Sequence, residues 1–596
     1  MIGATAPAQD ARPRRVPVRG RLAAAGRDPV IWVIAAATAV GLALRLWQLS
    51  RPGYLLGVTE YDDGPYFGSA VRLVDGTLPY RAFVLVQPPG ITLLMVPAAL
   101  AGKVAGTAWG MAAGRILTTL ASAAGIALAG LLVRHRGALA ALVACGVLAV
   151  YPDSVAAAHT VLVEPWLVLA CLAGGLAVFD GDRITASTRR LAWGGAAFGC
   201  AGAVESWAIL PVLVLLGLCW SGGATPREPP GAPMAPGRQA GRPHRARWPG
   251  GTRPGGRRAR VFAGGVTAGF AVLVLPFAAL APGRFYDSLI VAQVGPRAGV
   301  TRVPLIDRLQ EMAGLSDAHF PLRAGGIRVP GHTAVVLTVA FLVLLTAGVP
   351  ALAALAAWAR PAPLDWFAAG TMALVVAIFL WPSQFHYHFC AFLAPFLGLA
   401  IALPLPAALR AGHGPGWPVR AVAAVAAVIL AGCTVAGFAA ADKLKPDVSP
   451  ATIAAAARRI PPGSCVVTDE VSLLLLAGRF TATAPGCPPV LDGLGTDLAL
   501  SGGLKPATGA GRVPAVAAVW WQAFGHARFV WLSRLNHRRI AWTPALRGYF
   551  RSHFTRVLTD PRGDALYRRT APGGRAPGQA GHRGPIVTQR PQRSGG

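Results

Sequence analysis

Charge is what this sequence lacks. Only 14% of its 596 residues are charged, against 54% hydrophobic, and the mean hydropathy is +0.49. So few charges cannot give several soluble domains a wetted surface. Acid is scarcer still, with 25 Asp+Glu against 56 Lys+Arg and a net charge of +31. In a soluble protein that balance suggests nucleic acid. In an apolar chain it reads as topology, because Lys and Arg gather on cytoplasmic loops. There is no Walker loop, no Rossmann glycine fingerprint and no internal repeat, so nucleotide-binding folds and solenoids find no support.

What is present is a series of apolar runs near the ~20 residues needed to cross ~30 Å of hydrocarbon. The first covers Val30–Leu49, with Asp28 and Pro29 placed as N-cap and first-turn residue. The segment before it holds six arginines and two aspartates, and reads as the cytoplasmic arm (1–29) of a signal anchor. Further candidate spans are 113–133, 137–151, 160–179, 261–280, 333–357, 364–381, 389–407 and 420–440. The block 191–220 is interrupted at Glu205 and reads as two short helices meeting near the far face. About eleven crossings result. The fold class is a polytopic α-helical membrane protein, its transmembrane domain running over 30–440.

Alternating the spans puts Arg134, Arg136, Arg183, Arg189, Arg190, Arg360, Arg410 and Arg420 on the side of the N-terminus. The 221–260 linker, with nine arginines, one glutamate and 17 Gly+Pro, joins them as a disordered cytoplasmic loop. Outside lie 50–112, 281–332, 382–388 and everything after about Ala441. Helix-like (Ala451–Ile460, Val471–Ala477) and strand-like (Cys465–Thr468, Phe529–Leu532) stretches predict a small extracytoplasmic α/β domain over 441–570. The 571–596 tail reads as disordered. Six of the eight cysteines fall in apolar spans; Cys465 and Cys487, alone in the exported domain, are expected to form a disulfide.

Acid outside the membrane concentrates in Glu60-Tyr61-Asp62-Asp63-Gly64-Pro65-Tyr66, just beyond the first span. Pro65 can start a helix over Tyr66–Val74, ended by Gly76, whose apolar face (Tyr66, Phe67, Ala70, Val71, Val74) suits a helix lying in the interface. From spacing alone, two adjacent carboxylates fit a helix cap beside a solvated acid as well as they fit a catalytic pair.

The run Tyr61-Asp-Asp-Gly-Pro-Tyr-Phe-Gly-Ser-Ala-Val-Arg-Leu-Val-Asp-Gly-Thr-Leu-Pro-Tyr-Arg81, followed by Gln87-Pro-Pro-Gly-Ile-Thr-Leu-Leu-Met-Val-Pro97, resembles the first external loop of GT-C integral-membrane glycosyltransferases. It is most similar to the polyprenyl-phosphate-sugar-dependent, glycosyltransferase family 39-like group that includes protein mannosyltransferases and lipid A aminoarabinose transferases. The likeness is close in this loop and loose over roughly the first 400 residues; the C-terminal domain carries no assignable motif. Several relatives have an acid after Pro-Tyr-Arg, where this chain has Ala82, and many have Thr-Glu-Pro where it has Val163-Glu164-Pro165.

The resemblance implies a GT-C fold and an acid of the first loop acting as general base, with Asp63 assigned and Asp62 its rival. It also implies a polyprenyl-phosphate-linked sugar as donor, and a cell-wall glycan, lipid or protein as acceptor at the plasma membrane. A base must take the acceptor's proton, and a cation or metal must steady the departing phosphate. A hard divalent ion, Mg²⁺ or Ca²⁺, could bridge Asp62 and Asp63. Candidate substrate or donor-phosphate contacts are Glu60, Tyr61, Arg81, His159, Glu164, Glu205, His386 and His388, with Arg284, Arg297 and Arg302 as further surface arginines. The bland alternatives are an ion pair of Glu164 with Arg72 or Arg115, and an aromatic interface belt around the histidines. A transporter or flippase of a lipid-linked glycan, or a membrane scaffold, is the competing class. The first predicts mid-span ionisable residues and pseudo-repeated halves; the second leaves the acidic loop unexplained.

Overall fold

The computed structural model describes residues 28–221, 254–294, 303–314, 361–381, 385–411, 417–442 and 445–570. The arm 1–27, most of the 221–260 linker, the span expected at 333–357, Arg297, Arg302, Arg360 and the 571–596 tail lie outside them. Six described helices are long and apolar enough to cross a membrane: Pro29–Leu49, Thr107–Arg136, Gly255–Leu280, Pro363–Leu380, Tyr387–Leu409 and Arg420–Ala441. The pair Ala138–Val150 and Pro152–Ala158, bent by 58°, makes a seventh if it is one crossing. Shorter apolar helices, among them Glu164–Val178 and Ser206–Trp220, fill the bundle.

Local chemistry explains the boundaries. Asp28 accepts a hydrogen bond from the Val30 amide (2.9 Å) with Pro29 in the first turn. The 191–220 block breaks at Glu205, whose extended backbone (φ −154°) separates Thr188–Val204 from the next turn. The bend at Pro152 leaves the carbonyls of Leu148 and Ala149 without helical donors. Arg45 of the first span, fully buried, supplies them at 2.9 Å each.

Helices 188–204 and 254–280 cross so closely that only glycine fits at the contact. A Cβ on Gly195 or Gly199 would stand 2.3 or 2.2 Å from the Phe262 or Val266 carbonyl. One on Gly265 or Gly269 would stand 2.3 or 2.2 Å from that of Ala192 or Ala196. Two glycine pairs spaced by four thus face each other, which maximises backbone contact where lipid offers no hydrophobic drive.

The helix 107–136 separates the two ends of the bundle. At one end Arg136 binds Asp182 (2.8 Å) and Asp365 (3.1 Å), gathering the 134–137 turn, the β1–β2 hairpin (Phe179–Asp180, Arg183–Ile184) and the start of Pro363–Leu380. At the other end Thr107 donates to the Leu475 carbonyl, Arg51 pairs with Asp442 (2.7 Å) and Val58 bridges Val448.

An α/β unit sits on that second end. Its sheet runs β3 (Val466–Thr468), β4 (Phe529–Leu532), β6 (Ala565–Arg569), β5 (Phe554–Thr559), with β3–β4 parallel and the rest antiparallel. β4 is buried on both faces, as its unbroken apolar run requires. Phe529 and Trp531 join the cluster under the first loop, and Val530 and Leu532 join Trp520 and Phe524 of helix 514–526. Cys465 and Cys487 are disulfide-bonded.

The helix expected to lie in the interface instead spans Asp63–Val74, with Asp63 through Val71 all buried. The segment Val471–Leu476 covers the face that water would have wetted: a Cβ on Gly64 would meet the Ser472 amide nitrogen at 2.6 Å. Docking of the α/β unit, which local periodicity cannot report, replaces the lipid surface.

Candidate functional site

Asp62 and Asp63 start the loop helix and part company at once. Asp63 is fully buried; its Oδ2 accepts from Arg115 Nη2 (2.6 Å) and Nε (3.1 Å), and its Oδ1 accepts from the Val161 amide. Arg115 spends its remaining donors on the Tyr54 and Leu55 carbonyls. The Asp62 carboxylate is half-buried, and no hydrogen bond or ion pair reaches it among the described residues. Burial, then neighbouring Glu60, pushes it up to about 7; His388 opposes the rise, while Asp492 and Glu164 add to it.

Around Asp62 the fold gathers groups far apart in sequence. Glu164, at the start of helix 164–178, places Oε1 2.6 Å from His388 Nδ1, while its buried Oε2 has no hydrogen-bond partner among the described residues. A carboxylate on Nδ1–H fixes the imidazole orientation and turns Nε2 outward. Glu60 accepts from the Tyr387 hydroxyl (2.8 Å), and His386, exposed, stacks on His388 at 5.5 Å. Glu205 accepts from the Ser206 amide and hydroxyl (2.9 Å each). Tyr66 stands within electrostatic reach of Asp62, Glu164 and Glu205, and accepts from Gln87 at 3.1 Å.

The α/β unit closes the rim. The Tyr61 hydroxyl donates to Asp492 (2.7 Å), and Arg539 lies over the Tyr61 ring at 4.1 Å while binding Glu470 at 2.6 Å. Burial raises Asp492 from its ordinary value and lifts Glu470 to about 8. Burial and Asp492 together raise the Tyr61 phenol well above its ordinary value. Asp492, Glu470 and Arg539 have no motif around them, so sequence reasoning did not reach them. Tyr66 and Tyr387 sit within the acidic loop and between the two candidate histidines, but only Glu60, Tyr61, Asp62, Asp63 and the histidines stand out there as candidates.

Two candidates lie apart from this cluster. His159 packs against the Tyr54 ring, centroids 5.0 Å apart and tilted by 42°, and the Tyr54 carbonyl accepts from Arg115. Arg81 is exposed; its carbonyl accepts from Arg284 at 2.6 Å. Its neighbour Tyr80 is held at φ +63° by a hydrogen bond to the Gln87 carbonyl and by Phe285. The ion-pair alternatives resolve differently from expectation: Glu164 pairs with His388, Arg115 with Asp63, and Arg72 lies over the Phe480 ring.

A metal bridged by Asp62 and Asp63 does not fit, because Arg115 and Val161 already occupy both Asp63 oxygens. Among the described residues no three His, Cys, Asp or Glu side chains stand together as a ligand set.

A cavity of about 740 Å³ opens beside the cluster. Gln87, Glu205 and Ser206 line its polar end, and Phe198, Trp207, Phe270, Phe285 and Phe389 much of the rest. The close helix crossing at Gly199 forms part of its wall.

The fold has counterparts among solved structures. ArnT from Cupriavidus metallidurans, bound to undecaprenyl phosphate, aligns with a TM-score of 0.55 at 15% identity, over 92% of this chain and 99% of that one. The chain has the GT-C fold. Apo ArnT gives a TM-score of 0.50 at 16% identity, over 91% of this chain and 98% of that one. The Archaeoglobus fulgidus oligosaccharyltransferase tethered to an acceptor peptide also gives 0.50, at 13% identity, over 92% of this chain and 75% of that one. No protein-family model and no curated protein sequence matches.

Proposed function

We propose that this GT-C protein is a membrane glycosyltransferase that moves a sugar from a polyprenyl-phosphate donor to an extracytoplasmic hydroxyl, with Asp62 as general base. The observation that carries the reading is Asp62 itself: a carboxylate with no ion pair among the described residues, raised to about 7, beside the His388–Glu164 pair and near an apolar cavity. Asp63, locked on Arg115, is a structural residue that positions the loop.

In the reaction the acceptor oxygen forms a bond to the anomeric carbon as the bond from that carbon to the phosphate oxygen breaks. Asp62 takes the hydroxyl proton, and the electron pair leaves with the polyprenyl phosphate. A base so placed contributes about 10²–10⁴-fold. His388, oriented by Glu164 and stacked against His386, is the group placed to meet the departing phosphate. The cavity's aromatic wall suits the polyprenyl chain, and Glu205, Tyr66 and Gln87 suit sugar hydroxyls at its mouth. The lipid-bound form of ArnT, the structure with the higher TM-score, supports the choice of donor class. The acceptor is a glycan, a lipid or a protein, presented at the outer face of the plasma membrane with the N-terminus in the cytoplasm.

The test is to incubate purified protein in nanodiscs with polyprenyl-phosphate sugars extracted from the host membrane, plus wall and lipid fractions. Mass spectrometry should show sugar-bearing lipid converted to polyprenyl phosphate by wild type and not by Asp62→Asn. Turnover by the variant at the wild-type rate would remove Asp62 from the mechanism.

A further inference from the structure

The excess positive charge of the α/β unit has a structural form. Residues 445–570 contain sixteen Lys+Arg against seven Asp+Glu. Six of the seven acids (Asp469, Glu470, Asp492, Asp497, Asp560 and Asp564) are buried. The seventh, Asp447, lies 3.4 Å from Arg562 and 3.8 Å from Arg534. Few carboxylates therefore reach water on this unit, while Arg512, Arg528, Arg538 and Arg547 are exposed. Solvent meets a surface of nearly one sign.

A second cavity, of about 400 Å³, is set into that surface. It falls within the roughly 300–1,000 Å³ range of small-molecule sites, and its lining is mainly polar. Two tight turns, Pro506–Thr508 and Ala510–Arg512, form one wall, joined through Gly509 at φ +101°. Gly511 is pressed so close to the Ala541 carbonyl that a Cβ would stand 2.7 Å from it, which keeps the floor open. Trp542 forms the opposite wall. Its indole nitrogen donates to Asn536 (3.2 Å), and Phe524 (5.1 Å) and Phe550 (5.6 Å) prop the ring from behind. Thr508 and Thr543 also line it; the Thr508 hydroxyl is bonded to the Lys505 backbone, while that of Thr543 accepts from the Leu546 amide (3.1 Å) and keeps its proton to donate. The Arg512 guanidinium is exposed at the edge and bonds to nothing among the described residues.

We propose that this cavity binds an anionic saccharide: a sugar unit bearing a carboxylate or phosphate, within a longer glycan. A fixed indole offers an apolar face to a pyranose ring, the Thr543 hydroxyl offers a proton, and a free guanidinium matches a planar carboxylate or a phosphate with two parallel hydrogen bonds. The cavity is linked to the candidate active site through one short helix: three residues before Trp542, Arg539 covers the Tyr61 ring next to Asp62. Resting on the glycosyltransferase reading, this makes the cavity an acceptor subsite that holds a negatively charged glycan at a distance from the base.

Calorimetry on the full-length protein in nanodiscs, with no donor present, tests binding separately from transfer. A glucuronate-containing tetrasaccharide should bind and maltotetraose should not, with affinity falling as salt rises. Arg512→Ala should weaken binding at least tenfold, and Arg512→Lys should keep part of it. Trp542→Phe should weaken it with an unchanged melting temperature, and Arg458→Ala on the same unit should have no effect. Equal affinity for the neutral tetrasaccharide, full binding by Arg512→Ala, or no binding by wild type would each overturn the proposal. Full displacement by millimolar inorganic phosphate would do so too, marking an anion hole rather than a sugar site. Because donor is absent, loss of transfer in Asp62→Asn leaves the binding result standing, and the reverse also holds.

Discussion

Arg115 Nη2 lies 2.6 Å from Asp63 Oδ2, with both side chains fully buried. On the proposed reading, that contact gives Asp63 a structural role and leaves Asp62 for chemistry. Removing one partner of a buried ion pair strands the other, at a cost of about 3–5 kcal/mol. Asp63→Asn is therefore expected to lower the melting temperature measurably. Asp62→Asn removes a carboxylate that burial already disfavours, and should leave melting unchanged or slightly raised while abolishing turnover. A melting curve for each variant checks both expectations.

The pH dependence follows from the same group. A general base works only when deprotonated, so turnover should rise with pH through about 7 and level off above it. Glu60 is the largest neighbouring charge that holds Asp62 up. Glu60→Gln retains an acceptor for the Tyr387 hydroxyl but removes that charge, so the profile should move to lower pH by roughly one unit. A pH–rate series on the two proteins reads the shift directly.

The glycine-to-glycine crossing predicts a packing defect. Gly265→Val would drive a Cβ and two methyl groups into the Ala192 carbonyl. Overpacking of this kind costs about 1–3 kcal/mol. Helices 188–204 and 254–280 should separate and the neighbouring cavity should widen. Thermal denaturation and binding of polyprenyl phosphate to the variant both report this, and each should weaken.

Arg45 makes a separate stability prediction. Its guanidinium serves the Leu148 and Ala149 carbonyls freed at the Pro152 bend, and its Nε donates to Ser122 at 2.9 Å. Arg45→Leu leaves two buried carbonyls without donors, at about 1–3 kcal/mol each. The expected outcome is a lower melting temperature with no change in the pH–rate profile, since the partners of Arg45 are Gly41, Ser122, Leu148 and Ala149 and none of the groups around Asp62.

Much of the fold was legible because its signals are local. Asp28-Pro29 announces a helix start, the apolar runs announce spans, and Glu205 marks the break in 191–220. The strands β5 and β6 were not legible: Phe554–Thr559 and Ala565–Arg569 carry arginines instead of a clear apolar alternation, and gain their place by pairing with each other and with β4. The acidic loop announced the candidate site, but its internal order did not. Ranking Asp62 against Asp63 depends on Arg115, 52 residues away, and on Val161, 98 away. The partners of Tyr61 and Glu164 lie 431 and 224 residues off. Such contacts leave no trace in spacing or periodicity. The interfacial reading of the loop helix failed for the same reason, because part of what buries it, Ser472 against Gly64 and Leu491 against Gly68, belongs to the α/β unit.

The most direct test of the central claim is single-turnover transfer from a polyprenyl-phosphate sugar, measured side by side for wild type, Asp62→Asn and a folded population of Asp63→Asn. The account predicts that Asp62→Asn loses at least about 100-fold at pH 8, while the folded Asp63→Asn keeps most of its rate. Transfer retained by Asp62→Asn and lost by folded Asp63→Asn would contradict it.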